Sequence, residues 1–573
     1  MATDTAPEPY WHACVQRTTP ARRITCKKEE EPMGISQHDR LMRIATPLGE
    51  DAFVMLAFSG DEAVSELFNF KLQLASERKD IAFEQLAGQN VTVAIRSSDG
   101  AQRYFNGIIV AFAPDRTSDQ EGCYAYRAVM APATWMLQQC HDCRLFQNKS
   151  VPDIIKQVLD PSGFKAKKVK GAIDYRLALS AAYPQKELCV QYNESDFAFI
   201  RRLCEDEGIY FFFEHENGKH TLVFADASGA HKPCAPGPKQ KVRFQNTLGG
   251  TSDQEGIVDW TPARQLGAAK YVARDYNFMM PINDMTVEKS SRYASPQSQG
   301  EQYEYPGGYD KSSDPGQRLA MIRIQAADVR AGTIKGAANV RALTPGYTFV
   351  LTDHPLAAMN GQTYLLTHVG HKARQQLTSG LSDGDSYDNQ FACIPLDVPY
   401  RPERKTAKPV IAGNQTAIVT GPQGEEIHTD AYGRVKVKFH WDRRQDERRD
   451  GDMSCWMRVS QTWAGAKYGG LHIPRVGHEV IVSFLEGDPD RPMVTGRVYN
   501  ARNKPPCELP VNKTQSTIKS ASSKNSGNSN EIRFEDLAGS EEFFTHAAKD
   551  RNEIIENDMR TEVKNNQAIE VKQ

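Results

Sequence analysis

The chain has 573 residues, 39% of them hydrophobic and 25% charged, which is the composition of a globular protein with three or more domains. Its formal net charge of −2 gives no basis for binding nucleic acid or an anionic membrane through bulk charge, and the sequence contains no run of about 18 apolar residues that would span a bilayer. The 11 cysteines are scattered and odd in number, so a disulfide framework is not expected.

Residues 1–37 show no regular hydrophobic pattern, and residues 1–32 contain no apolar core of the signal-peptide type. We therefore expect a disordered N-terminal extension, within which Met33 offers a second translation start. The chain is then made in the cytoplasm, and any export has to use a route that accepts a folded protein.

The sequence alternates in the manner of β-strands from Arg40 onward. FNFKLQLAS at 68–76 places four apolar residues on one face, and further strands are predicted at 91–95, 105–112 and 124–130. Ser150 then precedes apolar residues at helical spacing, which predicts a helix that Pro161 ends.

The segment at 191–226 predicts a helix followed by a hairpin. Ser195 or Asp196 can cap the helix, and Gly208 suits the left-handed conformation in which helices stop. The next two strands are joined by Asn-Gly at 217–218, the dipeptide that a two-residue primed turn favours. Downstream we predict a helix at 310–332 and strands within 344–371.

The stretch at 431–500 alternates short strands with glycine and proline turns. In GRVKVKFHW, Val435, Val437 and Phe439 fall on one face, and two lysines and a histidine fall on the other. The spacing is typical of a small antiparallel module of the size of an OB barrel. A segment rich in Pro, Arg and Lys precedes it, and we interpret residues 401–409 as a linker.

The C-terminal end carries an eight-residue repeat. The polar segment 503–530 has the composition of a disordered linker, and beyond it apolar residues recur every eight positions at Ile555, Val563 and Val571. An eight-residue β repeat cannot bury its single apolar position within one chain, so it requires partner strands.

These segments resemble VgrG, the spike protein of bacterial type VI secretion systems, a family built like the hub and spike of contractile phage tails. The resemblance rests on the long motif at 431–500, the helix–hairpin unit at 191–226, CRLFQNKSVPDII at 143–155 and YEYPGGY at 303–309. It implies a mainly β fold with two β-barrel-like hub domains carrying helical insertions, an OB-fold barrel, and the start of a trimeric β-prism or β-helix stem.

The resemblance also implies how the chain divides. The stem in this family usually runs on, so the stem of this chain is expected to be truncated, with Ile555, Val563 and Val571 in its trimeric core. The expected parts are an N-terminal extension at 1–37, a phage-hub-like domain at 38–400, a linker at 401–409, the OB-fold domain at 410–502, a polar linker at 503–530 and the stem at 531–573.

The implied function is mechanical. A homotrimer at the tip of the secreted tube would puncture target envelopes and carry effectors. Its partners would be an Hcp-like tube protein, a PAAR-type tip protein, baseplate proteins and effector cargo. It would leave the cytoplasm through the type VI apparatus, without a signal peptide, into the target cell or medium. The alternative is the hub-spike of a phage tail or tailocin-type injection device.

Motifs that would indicate chemistry are weak. Cys140 and Cys143 form a CxxC, but zinc needs two more ligands at comparable spacing and a redox motif needs a thioredoxin-like context. His472 and His478 flank a Pro- and Gly-containing turn rather than a metal-binding spacing. Serine-nucleophile, P-loop and dinucleotide motifs are missing, whereas the abundant carboxylates leave a paired-acid glycosidase open on composition alone. The resemblance to the spike family implies no catalytic residues, cofactor or metal. The charged run 442–451 is interpreted as a solvated loop, with a tube or baseplate contact as the alternative.

Overall fold

The computed structural model describes residues 36–115, 122–160, 173–234, 240–245, 254–295, 297, 300–309, 313–377, 384–443, 453–524 and 526–572. The predicted N-terminal extension and the charged run at 442–451 lie almost entirely outside these residues, and both stay predictions. The described part is mainly β, which confirms the predicted fold class. No helix in the described part combines the length and the apolar character needed to cross a membrane.

Strands outnumber helices in each part of the chain that the structure describes. The first part contains β1 (Met42–Ala45), β2 (Val54–Ala63), β3 (Asn69–Ser76), β4 (Asn90–Arg96), β5 (Gln102–Pro114), β6 (Tyr124–Ala131), β7 (His141–Lys149), α1 (Val151–Leu159), β8 (Tyr175–Ala178), β9 (Lys186–Ser195), α2 (Asp196–Glu207), β10 (Tyr210–Glu216) and β11 (Lys219–Ala225). The middle part contains β12 (Lys232–Pro233), β13 (Lys241–Arg243), β14 (Ile257–Pro262), β15 (Lys270–Ala273), β16 (Val287–Ser290), β17 (Glu301–Glu304), α3 (Ser313–Ala331), β18 (Ile334–Ala338), β19 (Tyr347–Thr352), β20 (Thr363–Arg374) and β21 (Ser386–Pro395). The last part contains β22 (Gln415–Thr420), β23 (Lys436–Phe439), β24 (Glu479–Phe484), β25 (Pro492–Val498), β26 (Gln515–Lys519), β27 (Glu531–Glu535) and β28 (Glu542–His546).

One large sheet joins the two halves of the predicted hub. Its strand order is β1-β4-β5-β6-β3-β2-β20-β21-β18-β14, and β19 attaches to β20 with β12 and β13 beside it. The halves meet where β2 pairs antiparallel with β20, from Ala57 opposite Arg374 to Ala63 opposite His368. The hub segment is therefore continuous through its backbone hydrogen bonds and is not held by side-chain packing alone.

The predicted helix and hairpin at 191–226 are confirmed. The Ser195 side chain accepts a hydrogen bond from the Ala198 N–H at 3.1 Å at the start of α2, and Gly208 ends the helix with φ of 71°. β10 and β11 pair up to Glu216 opposite Lys219, which leaves the Asn-Gly dipeptide in the turn.

A separate small sheet forms the barrel module. Its strand order is β23-β22-β24-β25. Val435, Val437 and Phe439 are all buried in its core, as the alternation predicted, and Val480, Val482 and Val494 pack with them.

The C-terminal part forms a three-stranded meander, β26-β27-β28, which we call the stem sheet. β26 lies inside the segment that we expected to be a polar linker, and it pairs with β27 from Gln515 opposite Glu535 to Lys519 opposite Glu531. Residues 547–572 follow without helix or strand and are exposed from Ala548 onward. The domain boundaries themselves stay predictions.

Candidate functional site

Residues 401–409, which we call the strap, connect the hub segment to the barrel module through many specific contacts. Arg401 donates to the carbonyl oxygens of Gly208, at 3.0 Å, and Asp226, at 2.6 Å. The Glu205 carboxylate accepts two backbone N–H groups of the strap at 3.0 and 2.9 Å. The strap therefore lies firmly against α2 and the hairpin that follows it. Arg404 adds a two-pronged ion pair with Glu304 at the end of β17.

The turn between β24 and β25, residues 487–491, contacts the hub segment on one side through Asp490. The Asp490 carboxylate accepts from the Val190 N–H of β9 at 2.6 Å and from the Lys408 Nζ at 2.7 Å. Burial by itself would raise the pKa of this carboxyl, but the charges of Lys408 and Arg202 hold the pKa below its ordinary value. Asp490 is thus an anion held between a hub strand, a hub helix and the strap.

The same turn contacts a second part of the hub through the next residue. The Arg491 guanidinium donates to both carboxylate oxygens of Asp275, at 3.0 and 2.7 Å. Asp275 follows β15 and also accepts the backbone N–H groups of Gly308 and Tyr309 at 2.8 and 3.1 Å. A two-pronged Arg–carboxylate pair fixes orientation as well as distance. We call residues 487–491 with their partners the joint, because it holds the barrel module against the hub at two places.

Asp490→Ala is expected to lower the free energy of unfolding by about 1–3 kcal/mol, because the Val190 N–H would lose its acceptor in a largely covered position and Lys408 would keep only its ion pair with Asp488. The Asp490 side chain is 18% exposed, so solvent compensates for part of the loss. Urea unfolding measures the effect. Glu486→Gln, an exposed carboxylate four residues earlier, is the control and should leave the urea midpoint unchanged. Equal midpoints for Asp490→Ala and wild type would show that the joint contributes nothing.

The second candidate site is the uncovered face of the stem sheet. The registers of β26, β27 and β28 put Ile518, Ile532, Phe534 and Phe543 on one face. Their exposed fractions are 68%, 45%, 48% and 66%, respectively. The opposite face carries Arg533, whose ion pairs include Glu542 at 2.9 Å. One side of the stem sheet is thus polar and paired, and the other is apolar and open.

The structure does not bring the predicted stem residues together. Ile555, Val563 and Val571 are 43%, 47% and 86% exposed in the unpaired segment 547–572. The sequence there has a period of two as well as of eight. All nine odd-numbered residues from 555 to 571 are uncharged, whereas seven of the nine even-numbered residues from 556 to 572 are charged. An extended strand would separate these two sets onto opposite faces.

The cysteine and histidine motifs that the sequence singled out lie in environments that do not favour chemistry. Cys143 Sγ lies 3.1 Å from Asn193 Oδ1, and burial raises the pKa of the Cys143 thiol, which opposes reactivity. His478 Nδ1 accepts the Arg475 N–H at 3.3 Å. Among the described residues, no three His, Cys, Asp or Glu side chains gather in a way that would hold a metal ion.

Sequence reasoning missed the joint. Lys408 falls in a segment interpreted as a linker, and Asp490 and Arg491 belong to G-D-P-D-R, which lies in the stretch that we described only as short strands alternating with glycine and proline turns. The available signal was the concentration of opposite charges in a tight turn between two strands. Their partners lie far away in the sequence, and no local pattern identifies them.

Three families match parts of the chain. Residues 61–377 match the phage tail baseplate hub (GPD). Residues 415–499 match the type VI secretion system/phage-baseplate injector OB domain. Residues 516–573 match the bacteriophage T4 gp5 C-terminal trimerisation domain.

Several relatives are similar over most of the chain. The Pseudomonas aeruginosa type VI secretion system spike protein VgrG1b is 40% identical over 530 residues, which are 92% of this chain and 69% of that protein. VgrG1a from the same organism is 40% identical over 528 residues, 91% of this chain and 79% of that protein. The Vibrio cholerae actin cross-linking toxin VgrG1 is 36% identical over 537 residues, 91% of this chain and 47% of that protein.

Solved structures share the fold. The Escherichia coli c3393 protein, described as a type VI secretion component similar to the T4 tail proteins gp27 and gp5, superposes with a TM-score of 0.56 at 21% identity, covering 80% of this chain and 100% of that one. A Francisella PdpA–VgrG complex gives a TM-score of 0.57 at 9% identity, covering 85% of this chain and 72% of that one. With the hub, barrel and stem in this order and 40% identity to named spike proteins, the chain belongs to the VgrG family of type VI secretion system spike proteins, which is related to the phage tail hub.

Proposed function

We propose that this spike works as a homotrimer whose stem is assembled from three chains. The open apolar face of the stem sheet carries the proposal. Four large apolar side chains, Ile518, Ile532, Phe534 and Phe543, are 45–68% exposed on one side of a three-stranded sheet. A sheet of this size needs a cover over such a face to be stable. The match to a trimerisation domain at 516–573 supports two further copies of the chain as that cover.

The proposal extends to the last residues of the chain. In three extended strands wound about one axis, the uncharged odd-numbered residues would face inward and the charged even-numbered residues would face water. Ile555, Val563 and Val571 would then form apolar layers one octad apart, with Met559 and Ile569 on the same inner face. Every backbone group would pair between chains, so no strand edge would stay open.

The mechanical role follows from the joint. A spike pushed from its hub end has to pass force to the barrel and stem without the parts rotating past each other. Two contacts from one short turn resist such rotation: the hydrogen bond that Asp490 accepts from β9, and the ion pair of Arg491 with Asp275 beside β15. We assign the hub to residues 38–400, the barrel to 410–502 and the stem to the residues beyond, as the sequence indicated.

The proposed partners are those of the family. An Hcp-like tube protein and baseplate proteins would bind the hub, a PAAR-type protein would cap the needle, and effectors would be carried. The chain would be secreted from the cytoplasm through the type VI apparatus and would puncture the target envelope. The 40% identity to named spike proteins favours this over the phage-tail alternative. One relative is named an actin cross-linking toxin, but this chain spans 47% of it, and we propose no enzymatic role.

Light scattering across a dilution series of the full chain tests the trimer. The chain has a mass of 64.0 kDa, and the expected result is a species near three times that mass over a wide concentration range. A monomer at every concentration would overturn the proposal. A dimer would also contradict it, because the proposed stem has threefold symmetry.

A further inference from the structure

We infer that an exposed hairpin of the barrel module, residues 461–473, packs against a neighbouring copy of this chain at the base of the stem. We call it the aromatic arm. The inference rests on the proposed trimer and adds to it a second contact between the chains, independent of the stem residues. It commits to a second copy of the chain as the partner.

The aromatic arm is folded before any partner arrives. The Gly470 N–H donates to the Trp463 carbonyl at 2.9 Å, and the Gly465 N–H donates to the Tyr468 carbonyl at 2.9 Å. The Trp463 and Tyr468 rings meet edge to face with centroids 5.6 Å apart. Gly469 has a φ of 134°, and a Cβ there would lie 2.3 Å from the Trp463 carbonyl oxygen, so only glycine fits. A hairpin that is already ordered loses little entropy when it binds.

The arm presents apolar side chains that the protomer leaves uncovered. Trp463, Tyr468 and Leu471 are 66%, 63% and 70% exposed, respectively. Single exposed apolar residues are ordinary on protein surfaces, but a cluster of them on one rigid element marks an interaction surface. Trp and Tyr are also the residues that most often dominate the binding energy of interfaces.

The position of the arm identifies the partner. Directly after the arm, Arg475 donates to the Ala521 carbonyl at 2.6 Å, two residues beyond β26 of the stem sheet. Glu426 lies 3.9 Å from Arg475 and accepts the Lys524 N–H at 2.7 Å, which fixes the same end of the stem. If three stems meet on one axis, the foot of each arm lies beside that axis. The arm is then next to the neighbouring chain, close to the end of the stem that Arg475 and Glu426 hold.

The emission of Trp463 tests the inference in the unmodified protein. The chain has six tryptophans, so the spectrum of Trp463→Phe subtracted from that of wild type isolates Trp463. We expect blue-shifted emission at concentrations where light scattering shows a trimer, and a red shift on dilution as the chains separate. Emission typical of a water-exposed indole in the intact trimer would overturn the inference.

A variant measures the contribution of the arm to assembly. Trp463→Ala combined with Leu471→Ala removes exposed apolar surface without touching a protomer core, and we expect the concentration of half-dissociation to rise by about tenfold or more. Lys467→Gly alters the same hairpin at a residue with φ of 68° and keeps its apolar side chains, so it should dissociate as wild type does. A trimer equally stable with and without Trp463 and Leu471 would overturn this inference alone. A wild-type chain that stays monomeric would overturn the proposed trimer together with it.

Discussion

Val563→Asp is expected to abolish the stable trimer. In the proposed stem, Val563 of each chain faces the axis, and the substitution would place three carboxylates at one level away from water. Burying an unpaired charge costs several kcal/mol per ion after relaxation, which amounts to a cost on the order of 10 kcal/mol per trimer. Light scattering across a dilution series should show a lower mass for the variant than for wild type, at every concentration too low for the variant itself to assemble fully.

The matched control is Ala568→Asp, which adds the same charge five residues later at an even-numbered position. Its side chain would face water beside other charged residues, so the mass should follow wild type. If Val563→Asp assembles as wild type does, the proposed register is wrong. If Ala568→Asp dissociates and Val563→Asp does not, the strand faces the opposite way.

Acidification from pH 7.5 to 5.5 is expected to destabilise the hub, because its interior holds histidines that are fixed in the neutral form. In the large sheet, the buried Glu62 carboxylate accepts from Arg103 at 3.1 Å and from His371 Nε2 at 3.0 Å. His371 Nδ1 lies 2.7 Å from the Tyr387 hydroxyl, which can donate to it. Burial lowers the pKa of His371 despite the nearby carboxylate.

Two further histidines of the β10–β11 hairpin belong to the same interior. His215 Nδ1 accepts the Asn106 N–H at 3.1 Å, and His220 Nε2 accepts the Ala133 N–H at 3.0 Å. A ring nitrogen that accepts a backbone N–H cannot also hold a proton, so both rings are neutral. Burial lowers the pKa of both rings, and repulsion between the two rings on protonation contributes to lowering that of His220 to about 3.

The sign of the pH effect follows from these shifts. In the unfolded chain the three histidines titrate near pH 6.5, whereas in the folded chain they titrate lower. The unfolded state therefore binds more protons below pH 6.5, and the stability present at higher pH is lost as the pH falls. By pH 5.5 the loss is about 1.4 kcal/mol for a histidine shifted as far as His220, and the lowered pKa values of His215 and His371 add to that loss.

Urea midpoints at pH 7.5, 6.5 and 5.5 measure this loss. Carboxylates contribute little in that range, because those in the unfolded chain titrate near pH 4. His368→Gln removes an exposed histidine from β20, the strand that also holds His371, and should leave the pH dependence unchanged, whereas His371→Gln should reduce it by the share of one histidine. A midpoint that does not change with pH would show that the buried rings accept protons without cost.

Local signals in the sequence predicted the local structure. Ser195, Gly208 and the Asn-Gly turn specify α2 and its hairpin through contacts only a few residues apart, and the structure confirms them. The alternation at 435–439 likewise identified the core face of β23. These signals are reliable because each depends on the backbone conformation of a few consecutive residues: a helix cap, a left-handed stop, a tight turn and an extended strand.

Long-range pairing had no such signal. Nothing in the sequence of β2 indicates that its partner is β20, so the expected pair of barrel-like domains did not reveal one continuous sheet. The strap was interpreted as a linker because Pro, Arg and Lys are usual in linkers, and only the structure shows Arg401 and Arg404 bound to distant groups. β26 is too polar to be recognised alone, since its one large apolar residue, Ile518, faces outward in the single chain.

The pairing of β2 with β20 also determines how long β2 waits for its partner strand during translation. Residues 57–63 leave the ribosome roughly 300 residues before their partners at 368–374, a delay of about 15–60 s at bacterial rates of 5–20 residues per second. Throughout that interval one edge of β2 has no strand beside it, in a nascent chain whose neighbouring strands are rich in apolar residues. Such an edge can pair with other chains and aggregate, so the nascent chain is exposed to aggregation at β2 until translation passes Arg374.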